Sequence, residues 1–221
     1  MLRLHPYEYH RPVRLDEALD PLDEPGDDAM PIAGGTDLVP NMKHGLFTPG
    51  HLVSLGRVRE LHGIDRADDG SVRIGAAESL DSVSRDAAVL EDWPMLADAC
   101  SKISGPQLRR AGTIGGNVCL DTRCTYYNQT RFWRESLGFC LKKDGDVCHV
   151  VPGGTRCVAA HSADGATALS AIGARLEIAG PGGERRTEPI ASFFTSDGVW
   201  NRRLKRGELL VALSLPPPAP G

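Results

Sequence analysis

Six cysteines, Cys100, Cys119, Cys124, Cys140, Cys148 and Cys157, fall within about a quarter of this 221-residue chain. Residues 1–6 show no apolar core followed by a small-residue cleavage site. No secretory signal is therefore read, and the expected compartment is the cytoplasm. In a reducing compartment such a cluster points to metal or redox chemistry rather than to disulfides. Cys124, Cys140, Cys148 and Cys157 follow the spacing C-x15-C-x7-C-x8-C inside residues 120–160, a stretch with little periodicity. A loop that long needs its own source of order, and metal ligation supplies one. Four thiolates can hold a 4Fe-4S cubane, each iron taking one external ligand. They can also hold zinc, although the paired C-x2–4-C knuckles usual in zinc sites are absent. Arg123, Arg131, Arg134, Lys142 and Lys143 surround the set; they either offset the charge of a thiolate cluster or form a solvated loop surface. Phe132 and Trp133 are expected to pack the loop onto the domain. His149 reads as a neighbour of the ligands or a solvent-facing residue. Cys100 shares a helical apolar face with Leu96, Ala99 and Ile103 and reads as core.

Two glycine-rich loops form the second chemical feature. Pro31-Ile32-Ala33-Gly34-Gly35-Thr36-Asp37-Leu38 runs from a strand into a helix through paired glycines. Glycines let backbone approach a phosphate, and the N–H groups at a helix start bind it. Thr36 adds a hydroxyl, and Asp37 sits at the helix start, opposite the positive end of the dipole. By itself the loop also fits a plain helix-initiating turn. Ala111-Gly112-Thr113-Ile114-Gly115-Gly116-Asn117 is a second such loop, far away in sequence, and two loops can clamp one pyrophosphate from both sides. Neither matches the G-x-G-x-x-G or G-x-x-x-x-G-K-[ST] pattern, which disfavours a nicotinamide Rossmann domain or a P-loop. No H-E-x-x-H or G-x-S-x-G motif is present.

The elements that must hold these loops begin with a small α/β unit, which a second unit follows. A helix begins at residues 15–19, strands are expected at 29–33, 51–55 and 71–76, and Leu38, Val39 and Met42 mark a helix face. Asp81 is expected to cap a following helix, and residues 93–103 form another. Gly180-Pro181-Gly182-Gly183 turns a hairpin, and residues 209–215 form a last strand that ends at Pro216-Pro217-Pro218. Residues 216–221 read as a linker or the edge of a missing domain. The composition, 41% hydrophobic and 24% charged, is that of an ordinary globular protein. A net charge of −4 gives no reason to expect nucleic acid, and no apolar run is long enough to span a membrane.

In order, these motifs resemble the FAD-binding medium subunit of the xanthine dehydrogenase and carbon monoxide dehydrogenase family. The resemblance rests on Tyr7-Glu8-Tyr9-His10-Arg11-Pro12, on Ala33 to Leu38, on Thr113 to Asn117, on Ser162-Ala163-Asp164 and on Gly207-Glu208-Leu209-Leu210. It implies an α+β FAD-binding domain of the p-cresol methylhydroxylase type with two subdomains, residues 1–56 and 57–215, and FAD between them. The implied FAD residues are Pro31 to Leu38, Ile103, Ala111 to Asn117, Asp164 and Leu210. About forty residues separate the second loop from Ser162, far more than is usual in the family. The run Asn117 to Cys124, followed by Tyr126-Tyr127-Asn128, resembles the β subunit of 4-hydroxybenzoyl-CoA reductase. That resemblance implies a 4Fe-4S cluster on Cys124, Cys140, Cys148 and Cys157, and leaves Cys119 as a packed thiol. It further implies a molybdopterin-binding large subunit, a small subunit with 2Fe-2S clusters, and ferredoxin as electron donor. No residue of this chain would touch the substrate, and the resemblance leads to the expectation of a fragment or shortened homologue without the family's C-terminal domain. The alternatives are the flavin subunit of an aldehyde or aromatic-heterocycle oxidoreductase, and a zinc-stapled, non-enzymatic binding module.

Overall fold

The computed structural model describes residues 3–24 and 28–218. Residues 219–221, part of the expected linker, lie outside the described residues. Strand β1 (Glu8–His10) leads into helix α1 (Leu15–Asp23), whose Leu15, Ala18, Leu19 and Leu22 are buried at i, i+3, i+4 and i+7. Glu17 reaches back to the backbone N–H groups of Val13 and Arg14, at 3.0 and 3.3 Å, and closes the helix start. Strand β2 (Ala29–Ile32), helix α2 (Leu38–Lys43) and strand β3 (His51–Ser54) follow. β1, β3 and β2 form a parallel sheet in that order. Parallel strands at both flanks place the turn after β2 at one end of the sheet, where a ligand crevice forms in open α/β sheets.

The chain then enters an antiparallel sheet through β4 (Ile64–Arg66) and β5 (Val72–Gly75). Short helices α3 (Leu80–Arg85), α4 (Ala87–Asp92), α5 (Pro94–Lys102), α6 (Pro106–Ala111) and α7 (Ile114–Val118) come next. Helix α8 (Arg131–Ser136) is the regular element of the cysteine-bearing stretch. Helix α9 (Asp164–Ile172), β6 (Arg175–Ala179), β7 (Arg185–Pro189), α10 (Ile190–Phe193) and β8 (Leu209–Leu215) complete the fold. The sheet order is β4-β5-β8-β6-β7. β8 thus lies at the centre, between β5 and β6, and its run of apolar residues is buried on both faces.

The main core joins this sheet to α3, α5, α7 and α9 through Ile74, Leu96, Cys100, Ile114, Leu169 and Leu213. A second core sets α1 and Val53 against Ala179, Leu209 and Val211, so the two sheets pack on one another. Ser79, not Asp81, caps α3: its Oγ accepts the Ser82 N–H at 2.9 Å. Asp81 lies inside the first turn and receives Arg85 at 3.3 Å and Arg110 at 3.8 Å. A serine in extended backbone one residue before the helix outcompetes an aspartate already in helical conformation. Among the described residues, no helix is long and apolar enough to cross a membrane.

Candidate functional site

Two cavities adjoin along the chain, Arg123 lining one and Cys124 the other. The larger, about 400 Å³, lies where the parallel sheet meets the antiparallel one. All of Pro31 to Leu38 line it, with Ile103, Gly112, Thr113, Gly115, Gly116, Asn117, Asp164 and Leu210. The two glycine-rich loops touch there. A Cβ on Gly34 would stand 1.8 Å from the Ala111 carbonyl oxygen, so only glycine allows this approach. Gly35 has φ +67°, a second position that suits glycine. Thr113 caps α7 by accepting the Gly116 N–H at 3.1 Å. Among the described residues, the backbone N–H groups of Gly34, Gly35, Thr36 and Asp37 find no protein acceptor. Orphan donors at a glycine turn suit an anionic oxygen, and the apolar side chains of Ile103 and Leu210 suit an aromatic ring. The residues present therefore fit a dinucleotide such as FAD.

Two residues of these loops do not face the cavity. Ile114 is fully buried in the main core, and Ala111 offers its carbonyl to the Gly34 contact instead. Their alternation with cavity-facing neighbours follows from α7 starting at Ile114, which turns that side chain inward. Asn117 has a structural task as well: its Oδ1 accepts the Gly165 N–H at 3.1 Å and closes the start of α9, which has no cap of its own. Asp37 sits at the start of α2 but makes no cap; its carboxylate pairs with Arg123. Burial pushes the Asp37 carboxyl above its usual range, while Arg123 pulls it down and Asp121 pushes it up. Arg123 and Arg202 bring cations to the cavity that the glycine motifs do not signal. Arg202 Nη1 donates to the Cys119 carbonyl at 2.6 Å. Cys119 lines the cavity too, its thiol pushed up by burial.

The smaller cavity brings Cys124, Cys140, Cys148 and Cys157 together from four points in the chain. Among the described residues, the one group of three or more metal-ligating atoms lying within 4.8 Å of one another involves no cysteine. Cys148 and Cys157 accept the N–H groups of Val151 at 3.4 Å and Ala159 at 3.5 Å. Burial raises the Cys157 thiol, Lys142 opposes that, and Cys140 and Cys124 reinforce it. Gly198 closes this wall: a Cβ there would be 2.7 Å from Cys157 Sγ.

Lys142, which lines the cysteine cavity, bonds to Asp121 of the larger one and so links the two linings. Its nearly buried Nζ donates to Asp121 at 2.8 Å, Thr122 at 2.5 Å and the Gly198 carbonyl at 2.7 Å, and lies 4.5 Å from the centre of the Tyr127 ring. Arg134 is buried rather than solvated; it bonds Asp144 at 3.2 Å and the Gly45 carbonyl at 3.3 Å. Tyr127 and Cys140 pack with Leu46, which fastens the insertion to the segment after α2. Phe132, expected to do this, is 82% exposed, while Arg134 two residues further along α8 takes the buried position. Trp133 stacks on Tyr126 instead, at 6.3 Å. His149 lines the cysteine cavity with its Nε2 2.5 Å from the Phe139 carbonyl. Cys100 is core, its thiol pushed up by burial to about 12.

Residues 5–218 match the model of the FAD binding domain in molybdopterin dehydrogenase. The chain belongs to this family. It is 33% identical over 210 residues to the xanthine dehydrogenase FAD-binding subunit of Escherichia coli O157:H7, covering 95% of this chain and 57% of that protein. It is 32% identical over 216 residues to the carbon monoxide dehydrogenase medium chain of Hydrogenophaga pseudoflava, covering 97% and 60%. The solved carbon monoxide dehydrogenase of that organism superposes with a TM-score of 0.75 at 28% identity, over 99% of this chain and 62% of the other. The domain is thus a mixed α+β FAD-binding domain, and it spans about three fifths of the length of these relatives.

Proposed function

We propose that this chain carries electrons as the flavin unit of a molybdenum-dependent oxidoreductase, with FAD between residues 1–56 and 57–215 and a 4Fe-4S cluster on Cys124, Cys140, Cys148 and Cys157. FAD exchanges one or two electrons, and so links one-electron iron–sulfur carriers to two-electron chemistry. The observation that carries the reading is that the linings of the two cavities follow one another along the chain. Cys119, Leu120, Asp121 and Arg123 line the flavin cavity, and the next residue, Cys124, lines the cysteine cavity. A redox group in each would be neighbours across the Arg123–Cys124 peptide. The chain's own contribution is positional: the loops hold the dinucleotide, and Lys142 and Arg123 place positive charge beside both cavities.

The partners in this reading are a molybdopterin-binding large subunit and a small subunit with 2Fe-2S clusters. The four-cysteine insertion supports 4-hydroxybenzoyl-CoA as the substrate on the large subunit. Two electrons from reduced ferredoxin and two protons would remove the ring hydroxyl as water and leave benzoyl-CoA. A second reading is an aldehyde oxidoreductase: the chain is 34% identical over 198 residues to the FAD-binding subunit PaoB of Escherichia coli K12. The assembled complex, prepared anaerobically, separates the two when assayed with 4-hydroxybenzoyl-CoA and with aldehydes. Turnover of aldehydes alone refutes the reductase reading. Zinc without iron, and no flavin absorbance, would leave a zinc-stapled binding module.

A further inference from the structure

Glu8, His10 and His51 gather at the start of the parallel sheet, away from both cavities. Glu8 opens β1 and His51 opens β3, and the two are paired in register. His10, two residues after Glu8, returns to the same face of β1. The three side chains therefore converge as a consequence of the strand pairing. His10 Nε2 and His51 Nδ1 are 3.0 Å apart, and the Glu8 carboxylate oxygens lie 4.0 Å from the first and 3.7 Å from the second. All three ligand atoms lie within 4.8 Å of one another. The imidazoles are partly buried, the carboxylate exposed. On the third strand of the sheet, Ala29 is the residue paired with His51, so little bulk adjoins the group there.

The geometry points to a divalent transition-metal site of the zinc class at Glu8, His10 and His51, a staple between β1 and β3 that is separate from the flavin and cysteine cavities. Zinc bound tetrahedrally at about 2.0–2.1 Å sets its ligand atoms about 3.3 Å apart; the two imidazole nitrogens stand slightly closer, at 3.0 Å, and the nearest Glu8 oxygens wider, at 4.0 Å from His10 and 3.7 Å from His51. Two imidazoles and one carboxylate also match the preference of such ions for nitrogen donors, whereas calcium and magnesium demand more oxygens. Two protein nitrogens so close without a metal must share one proton between them, and the ion takes that proton's place. Three protein ligands leave a fourth position for water. β1 is an edge strand of only three residues, and the ion would tie it to its neighbour.

The test uses the holo protein in its assembly, so that the cysteines are already occupied, with zinc added in a calorimetric titration and cobalt(II) as a spectroscopic probe. The wild type takes up one equivalent more than His10→Ala or His51→Ala, and its cobalt spectrum shows ligand-field bands without thiolate charge transfer. Its thermal midpoint rises with added zinc, and that rise is lost in both variants. His51→Gln, which keeps a polar side chain on β3, also loses the equivalent, while circular dichroism and flavin absorbance match the wild type in every variant. Equal metal uptake and equal zinc-dependent midpoints in wild type and variants would overturn the assignment and leave a hydrogen-bonded imidazole pair only.

Discussion

Gly34→Ala is the sharpest perturbation of the flavin cavity. The added methyl would sit 1.8 Å from the Ala111 carbonyl oxygen, 2.4 Å from its carbon and 2.9 Å from the Gly112 nitrogen. All three are backbone atoms, so no rotamer change relieves them, and the loops must part by about 1.6 Å to recover a 3.4 Å contact. Overpacking typically costs about 1–3 kcal/mol, and contact with backbone alone puts this substitution at the upper end. If the strain falls on the binding conformation, about 3 kcal/mol is roughly a hundredfold loss of FAD affinity. Flavin content of the purified protein, followed by titration of the stripped protein with FAD, measures it. Gly56→Ala is the control, because a Cβ there meets nothing within 4 Å. A Gly34→Ala protein with wild-type FAD affinity and unchanged thermal midpoint would refute the contact between the loops.

Cys157→Ser should remove the iron of the proposed cluster while flavin content stays at the wild-type level, as read by metal analysis and visible absorbance. Gly198→Ala should lower that iron too, because its methyl would press on Cys157 Sγ and the Ala159 nitrogen, at 2.7 and 2.9 Å. In Arg123→Ala, Asp37 loses the cation that pulls its carboxyl down, while burial and Asp121 still push it up. A carboxyl whose folded value lies above its unfolded one loses stability as pH rises between the two, so the variant's deficit should be near zero at low pH and grow to a plateau above the raised value. For so exposed a guanidinium the plateau is about 1 kcal/mol, read by denaturant unfolding across that range. Cys100, with its thiol pushed up by burial to about 12, should escape alkylation at mildly alkaline pH in the native protein and react only on unfolding, as mass spectrometry would show.

The local signals in this sequence report backbone chemistry well and side-chain direction poorly. Paired glycines mark the chain where backbone meets backbone, and the Gly34–Ala111 contact is of that kind. Periodicity finds α1 and the strands, because burial of Leu15, Ala18, Leu19 and Leu22 sets the period directly. The centre of the antiparallel sheet was legible in principle too: the unbroken apolar run of β8 is what a strand covered on both faces requires. Motif membership does not say which residues of a loop face a ligand. Ile114 turns into the core because α7 begins there, and Asn117 spends its Oδ1 on α9. Both facts depend on packing partners about fifty residues or more distant.

Charge in the insertion was the least legible feature, and the reason is physical. Arg134 and Lys142 are surface residues by composition, yet both are buried, held by Asp144, Asp121 and backbone carbonyls brought in from Gly45 and Gly198. A buried cation survives only where several acceptors converge, and those acceptors are distant in sequence. The same convergence explains how four cysteines spread over thirty-four residues reach one cavity in a loop of little regular structure. Lys142 binds the segment that carries Cys124 to the turn that abuts Cys157, and Arg134 holds the turn that follows Cys140. Two internal cations thus do for the insertion what a hydrophobic core does for the rest of the domain, and they leave the four thiols to be joined by whatever they bind.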